Sequence, residues 1–266
     1  MRRLAAVYLA EMKMGIQNQF QYRISVFFQL FGFLIEPIVY LVVWTTVAEE
    51  GGPIGGYDAA LFTSYYIVWT LVRNMNLALT PYVWDWWIQR GRVSEALLRP
   101  VHIFHRQLAV FGGFKFVWIL LWIPIAALLV LVFRPNLSPT VFQAVGFFIA
   151  IWGGFVVRFS LLFIIGLISF WTTRASALFE IVVAAELLLS GRLVPLSVMP
   201  QWVQTVADWL PFKWTFQFPI ETLIGQLSNG EIVFGLIAQL FWFGVLGGGI
   251  ALVWKSAIKR YTAVGT

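Results

Sequence analysis

Apolar residues run along this chain in long blocks separated by short polar interruptions, and the blocks set the elements. The first block, 24–47, carries the pair Glu36 and Pro37 near its centre, which predicts a membrane span broken at that point. A glycine-rich acidic turn, EEGGPIGGYD, leads to a second span over 59–79 that contains Arg73. A third, over 108–133, is expected to kink at Pro124 before RPNLSPT reverses the chain. The fourth, 141–170, contains Arg158, and Gly146, Gly153, Gly154 and Gly166 would let neighbouring backbones approach closely. The fifth, 175–189, is brief and carries Glu180 and Glu186. The last, 232–254, holds Gly244, Gly247, Gly248 and Gly249 and leads into Lys255, Lys259 and Arg260.

Three stretches depart from this pattern. Residues 1–21 are too polar to span a bilayer and lack the apolar core and cleavage site of a signal peptide, so they are expected to be retained. Leu4, Tyr8, Met12, Ile16 and Phe20 recur every four residues, which predicts an amphipathic helix lying in the membrane surface. Residues 81–106 form the longest polar interruption in the first two thirds of the chain, with four arginines at 90, 92, 99 and 106. There Trp84, Trp87 and Ile88 fall at i, i+3, i+4 with Gly91 at i+7, while Asp85, Gln89 and Arg92 lie on another face: a short amphipathic helix. Ser94 is expected to cap a second turn, SEALLR, that Pro100 stops. The blander reading of this stretch is an interfacial helix that only anchors a loop. In 190–227, Gly191, Pro195, Pro200, Pro211 and Pro219 alternate with Trp202, Val203, Val206, Trp209 and Leu210. So many prolines forbid one long helix and so much apolar surface forbids an ordinary loop, which predicts short half-helices dipping into the outer leaflet.

Composition fixes the class. Sixty per cent of the residues are hydrophobic and 11% charged, with a mean hydropathy of +0.83, far from the soluble norm. The fold expected is an all-α integral membrane protein of six spans. A chain of 266 residues leaves no room for a sizeable soluble domain as well, so 1–266 reads as a single transmembrane domain. There is no cysteine, hence no disulfide and no thiolate metal site.

The net charge of +6 sits beside the spans rather than on a soluble face, which argues against nucleic acid and for topology. With the N-terminus inside, Arg2, Arg3, Lys13, Arg23, Arg90, Arg92, Arg99, Arg106, Lys115, Arg174, Lys255, Lys259 and Arg260 make 13 cytoplasmic cations. Arg134, Arg192 and Lys213 make three outside, and Arg73 and Arg158 remain in the membrane, accounting for all 18. Both termini and 81–106 are therefore expected in the cytoplasm, and 190–227 outside.

Candidate chemistry is sparse. No G-x-x-x-x-G-K-[ST] occurs, and His102 and His105 lack carboxylate or cysteine partners, so no catalytic group, cofactor or metal is expected on this chain. The intramembrane charges Glu36, Arg73, Arg158, Glu180 and Glu186 are the exception, because a charge in hydrocarbon is costly and seldom idle. At ~1.5 Å per residue, Arg73 and Glu180 fall roughly 8 to 9 Å deep, and Arg158, Glu186 and Glu36 roughly 16 to 18 Å. Two layers of opposite charge follow, readable as helix-locking pairs, as a lining of a substrate path, or as proton carriers.

Two segments carry a family resemblance. The first is I-x-x-G-x-x-x-E-x-L-L-x-P, with Ile88, Gly91, Glu95, Leu97, Leu98 and Pro100. The second is S-G-x-x-x-P-L-x-x-x-P-x-W-x-x-x-x-x-x-x-L-P, with Ser190, Gly191, Pro195, Leu196, Pro200, Trp202, Leu210 and Pro211. Together with the amphipathic start and the six spans, they resemble the ABC-2 type permeases of ABC exporters over nearly the whole chain. The resemblance implies an ATPase-coupling segment built from Trp84, Trp87, Ile88, Gly91, Glu95, Leu98, Arg99 and Pro100. It implies a re-entrant outer segment marked by Gly191, Pro195, Pro200, Trp202 and Pro211. It implies a dimer of permeases in the cell (inner) membrane seated on separate ATP-binding subunits, which hold the ATP and magnesium. The cargo would be an amphipathic, lipid-like, drug-like or glycan molecule moved outward.

Two rivals stand beside it. An ion-coupled secondary transporter would use Glu36, Glu180 and Glu186, but it predicts paired broken helices, and only one proline-broken region occurs. A membrane-embedded acyl or glycosyl transferase would need a polar cluster at one interface, where 190–231 offers only the widely spaced Asp208, Glu221 and Glu231.

Overall fold

Helix α7 (Val141–Leu167) is the axis around which the other helices gather. Thr140 and Gln143 start it with a reciprocal capping box, the Thr140 amide donating to Gln143 Oε1 at 2.9 Å. Its small residues face its neighbours. A Cβ on Gly154 would lie 2.9 Å from the Thr215 carbonyl and one on Gly153 2.2 Å from Gln239, so the helix packs backbone-close there. The computed structural model describes residues 2–21, 23–135, 137–172 and 175–261. Arg174, counted above among the inner-side cations, and the tail 262–266 lie outside them, as do the side chains of Arg2, Arg3 and Arg23.

The regular structure of the described residues is helical, with one isolated bridge, Ile54 to Tyr57, in the first turn. In chain order the helices are α1 (Arg2–Gln21), α2 (Arg23–Gly51), α3 (Ala59–Asn76), α4 (Thr80–Gln89), α5 (Val93–Leu97), α6 (Ile103–Phe133), α7, α8 (Ser176–Leu189), α9 (Gln201–Asp208), α10 (Pro211–Thr215), α11 (Gln217–Leu223) and α12 (Asn229–Arg260). Three among the described residues are long and apolar enough to cross a membrane: α6, α7 with its short 3-10 extension to Phe170, and α12. In α7 61% of the most apolar stretch is buried, against 17% in α6 and in α12, whose outer faces are therefore left to surroundings other than this chain.

The structure redraws several expectations. α2 runs through Glu36 and Pro37 without a break, and α6 through Pro124. α8, the fifth expected span, is 14 residues, ~21 Å at ~1.5 Å per residue, too short for a ~30 Å core on its own. α1 packs lengthwise on the first half of α6 instead of standing alone. Tyr8 bonds His105 at 2.9 Å, Glu11 pairs with Arg106 at 2.6 Å, and a Cβ on Gly113 would lie 2.3 Å from the Met12 carbonyl. The order of these contacts makes the two helices parallel. It also carries His105 and Arg106 out of the expected loop into α6, with His102 as its cap, accepting from the Phe104 amide at 3.2 Å.

Much of the core is α3. Phe62, Tyr65, Tyr66, Trp69, Val72 and Met75 are wholly buried against α2, the 190–194 turn and α11. Asp58 caps this helix, accepting from the Leu61 amide at 2.7 Å. The prolines of 190–227 start helices more than they stop them: Pro200 is the cap residue of α9, and Pro211 opens α10, where its missing N–H costs nothing.

Candidate functional site

Two adjoining regions hold the polar side chains singled out by sequence: the α4–α5 elbow, and a buried charge cluster between α2, α3, α7 and α8.

α4 is anchored by Trp84, which is fully buried among Phe163, Phe170, Trp87 and Trp254. A Cβ on Gly166 of α7 would meet the Trp84 ring at 2.2 Å, so the glycine makes room for the indole. Trp84, which the resemblance places in the coupling segment, is buried within this chain and seats the helix. Trp87 and Ile88 are half-buried beside it. Gly91 turns the chain with φ +64° in the left-handed region that favours glycine. The C-terminal Tyr261 clasps that turn, its hydroxyl bonding the Gly91 carbonyl at 3.3 Å and receiving the Ser94 amide at 3.0 Å. Ser94 is therefore not a cap. It lies inside α5, after Arg92 at the cap position, and its Oγ donates to the Gly91 carbonyl at 3.0 Å. Beyond it Glu95, Leu98, Arg99 and Pro100 are exposed, Leu98 at 88%. Trp86, which the periodicity did not single out, is 40% exposed, with Arg90 and Arg92 over its ring at 5.3 and 5.0 Å.

Asp85, grouped by periodicity with Gln89 and Arg92, is buried, because it serves another helix. α8 begins at Ser176 with no side-chain cap of its own. Asp85 supplies one from α4: Oδ1 accepts from Ser169 Oγ at 2.7 Å and the Ala175 amide at 2.8 Å, and Oδ2 from the Ser176 amide at 3.0 Å. Burial opposes ionisation of this carboxyl, but the bonds from Ser169, Ala175 and Ser176 outweigh it and hold the group below the usual carboxylate range. The cap position of α8 is Ala175, which has no polar side chain to offer, and that was the signal in the sequence for a cap from elsewhere.

At the other end of α8, Glu186 is bound by Arg158 of α7 in a two-pronged pair, Nε to Oε1 at 2.6 Å and Nη2 to Oε2 at 2.7 Å. A third Arg158 nitrogen reaches the Asn76 carbonyl at the end of α3. The expected Arg73 layer is different from its expectation. Arg73 pairs with Glu36, not with Glu180, and Arg192, expected outside, joins the same carboxylate at 2.9 and 3.2 Å. Glu180 instead accepts from Tyr82 of α4 at 2.5 Å. Counting depth along each helix could not foresee this, because the chain after α8 folds back into the bundle. Lys115, counted as an inner surface cation, is buried with its Nζ on the carbonyls of Asn74, at 2.9 Å, and Leu77.

That fold-back is built on Gly191, at φ +80°, where any Cβ would strike Gln217 at 2.4 Å and Tyr65 at 2.8 Å. Tyr65, Tyr66 and Trp69 of α3 donate to the carbonyls of Gly191, Leu193 and Arg192 at 2.6, 2.8 and 2.9 Å. Gln217, not singled out by sequence, closes the loop: its amide donates to the Ser190 carbonyl at 3.0 Å and its Oε1 accepts from the Leu196 amide at 2.8 Å. Pro195 precedes a short 3-10 turn, and α9 follows with Val203 buried while Trp202 and Trp209 are 67% and 80% exposed.

Comparison with known proteins gives one result. A family model described as "ABC-2 family transporter protein" matches residues 34–265, and no curated protein sequence matches the chain.

Proposed function

The chain belongs to the ABC-2 family of transporter proteins, as a permease subunit of an ABC transporter, and from that premise we propose that it exports an amphipathic cargo using ATP hydrolysed on a separate subunit. The observation that carries this reading is the α4–α5 elbow. Its inner side is locked into the bundle by Trp84 and Asp85, while Trp86, Glu95, Leu98, Arg99 and Pro100 stand free on its outer side. A rigid element with one anchored face and one free face suits the transfer of motion from a nucleotide-dependent partner into the helices.

The path of that motion runs through α8. A displacement of α4 pulls on the α8 start through Asp85 and on Glu180 through Tyr82, and α8 carries it to Glu186 and Arg158. In this reading α1 runs beside the inner half of α6, 190–227 is a re-entrant segment of the outer half, and two permease copies enclose the path in the cell membrane. The shortness of α8 and the seating of 191–193 on the middle of α3 support the re-entrant part. The ion-coupled alternative gains no support, since Glu36 and Glu186 are both held by arginines.

The test is co-purification from native membrane through a tag on this chain. A bound ATPase carrying Walker motifs, lost on Leu98→Asp with the permease still in the membrane, is the expected result. Recovery of the chain in active form with no ATPase would contradict the reading.

A further inference from the structure

The arginines of the charge cluster outnumber its carboxylates. Arg73, Arg158 and Arg192 line one cavity of about 50 Å³ together with Asn76, Glu186 and Phe216. Among the described residues the carboxylates bound to these arginines are Glu36 and Glu186, so 3 − 2 leaves one positive charge in excess. A guanidinium does not lose its proton in proteins, so titration cannot remove the surplus. Lys115 offers no relief, being a further cation whose Nζ is occupied by backbone carbonyls. Both oxygens of Glu186 already receive Arg158, and both of Glu36 receive arginine nitrogens. A surplus cation in a bundle read as membrane-embedded is costly without a counter-anion.

The cavity sets what that anion can be. About 50 Å³ exceeds the ~10–15 Å³ that admits a single water, yet it is far too small for a whole amphiphile. It suits one compact oxyanion with its tail held elsewhere. Planar guanidinium forks match the oxygens of phosphate and carboxylate. We propose that this cavity binds the anionic headgroup, a phosphate or carboxylate, of an amphiphile. A bilayer lipid and a transported molecule both present that chemistry. That the bound amphiphile is cargo rests on the permease reading; the anion site itself does not.

The experiment titrates the purified protein in phosphatidylcholine nanodiscs with dodecyl phosphate, comparing dodecyltrimethylammonium and inorganic phosphate. Dodecyl phosphate should bind at least about tenfold tighter than either, the scale of one charge-assisted hydrogen bond. Arg192→Gln should weaken it about tenfold, and Glu36→Gln, which frees both its arginines, should tighten it by a similar factor. Lys255→Gln, on the exposed tail, should leave it unchanged. A cluster that is only structural would be harmed by both cluster variants, so weakening by both overturns the proposal, as does equal binding of the three probes. Repeating the titration with phosphatidylglycerol in the nanodiscs separates the sources. Loss of dodecyl phosphate binding there, again dependent on Arg192, supports the site with a resident lipid in it, and retention supports it with the added amphiphile. Binding that persists while the ATPase of the complex ignores dodecyl phosphate counts against the cargo assignment and leaves the site standing.

Discussion

Asp85 places a carboxylate where the first turn of α8 has free amides and no cap of its own. Asp85→Asn keeps one acceptor but turns an NH2 toward a backbone donor, which should cost about 1–3 kcal/mol. The pH dependence follows from the sign of its shift. A carboxylate held below its ordinary value stabilises the fold at pH above the unfolded value of ~3.9, and that stability is lost as pH falls through the folded value. The thermal midpoint of the native chain should therefore drop below about pH 4 more steeply than that of the Asn variant; parallel curves would remove Asp85 from the account. At Arg158 and Glu186, deleting one partner leaves a buried charge uncompensated. Arg158→Gln should cost about 3–5 kcal/mol, and Arg158→Met with Glu186→Leu should restore most of it, as read by thermal unfolding in detergent. Depth counting along helices reached the Arg158–Glu186 pair because both residues sit in regular helix. It missed Arg192 and misplaced Arg73, because their meeting on Glu36 depends on a fold-back at Gly191 that no periodicity encodes.

At the scale of elements, the hydrophobic blocks overlap the long helices of the described residues, while ends differ by as much as Arg260 against 254 in α12, since burial and helix period leave a trace in sequence that end geometry does not. Breaks at proline were over-read. Glu36-Pro37 and Pro124 sit inside continuous helices, while the short helices α9, α10 and α11 begin near prolines. The packing of α1 on α6 was illegible, because it turns on two glycines, Gly15 and Gly113, at backbone contact. The seat of α4 is similarly narrow. Gly166→Val would push its side chain into the Trp84 ring, so it should shift α4 and impair coupling while Gly244→Val, which meets open space, should not; equal ATPase stimulation in both would show that the seat is unimportant. α9 offers a test of surroundings. The chain is naturally free of cysteine, and Val206 is 41% exposed on the isolated subunit. A cysteine at 206 should resist membrane-impermeant maleimide in native membrane yet react in detergent, with Gln226→Cys as the outside reporter because Ser228 is engaged in the α12 capping box. Rapid labelling of residue 206 in the membrane would make α9 an ordinary aqueous helix.

For the whole molecule, the apolar outer faces of α6 and α12 and the exposed tryptophans of α9 call for lipid or a second subunit. Composition marks the chain as a multi-pass membrane protein. What it could not supply is the link from α4 to α8, since Asp85 lies 90 and 91 positions away in sequence from the amides it caps. The proposed coupling depends on that link joining the free face of the elbow to the buried charges. The direct measurement is cargo-stimulated ATPase and transport by the reconstituted complex carrying Glu95→Arg or Asp85→Asn. Both variants should still bind the ATPase and keep its basal turnover while stimulation and transport fall together. A complex in which both variants hydrolyse ATP and transport like the native protein would contradict the proposed coupling.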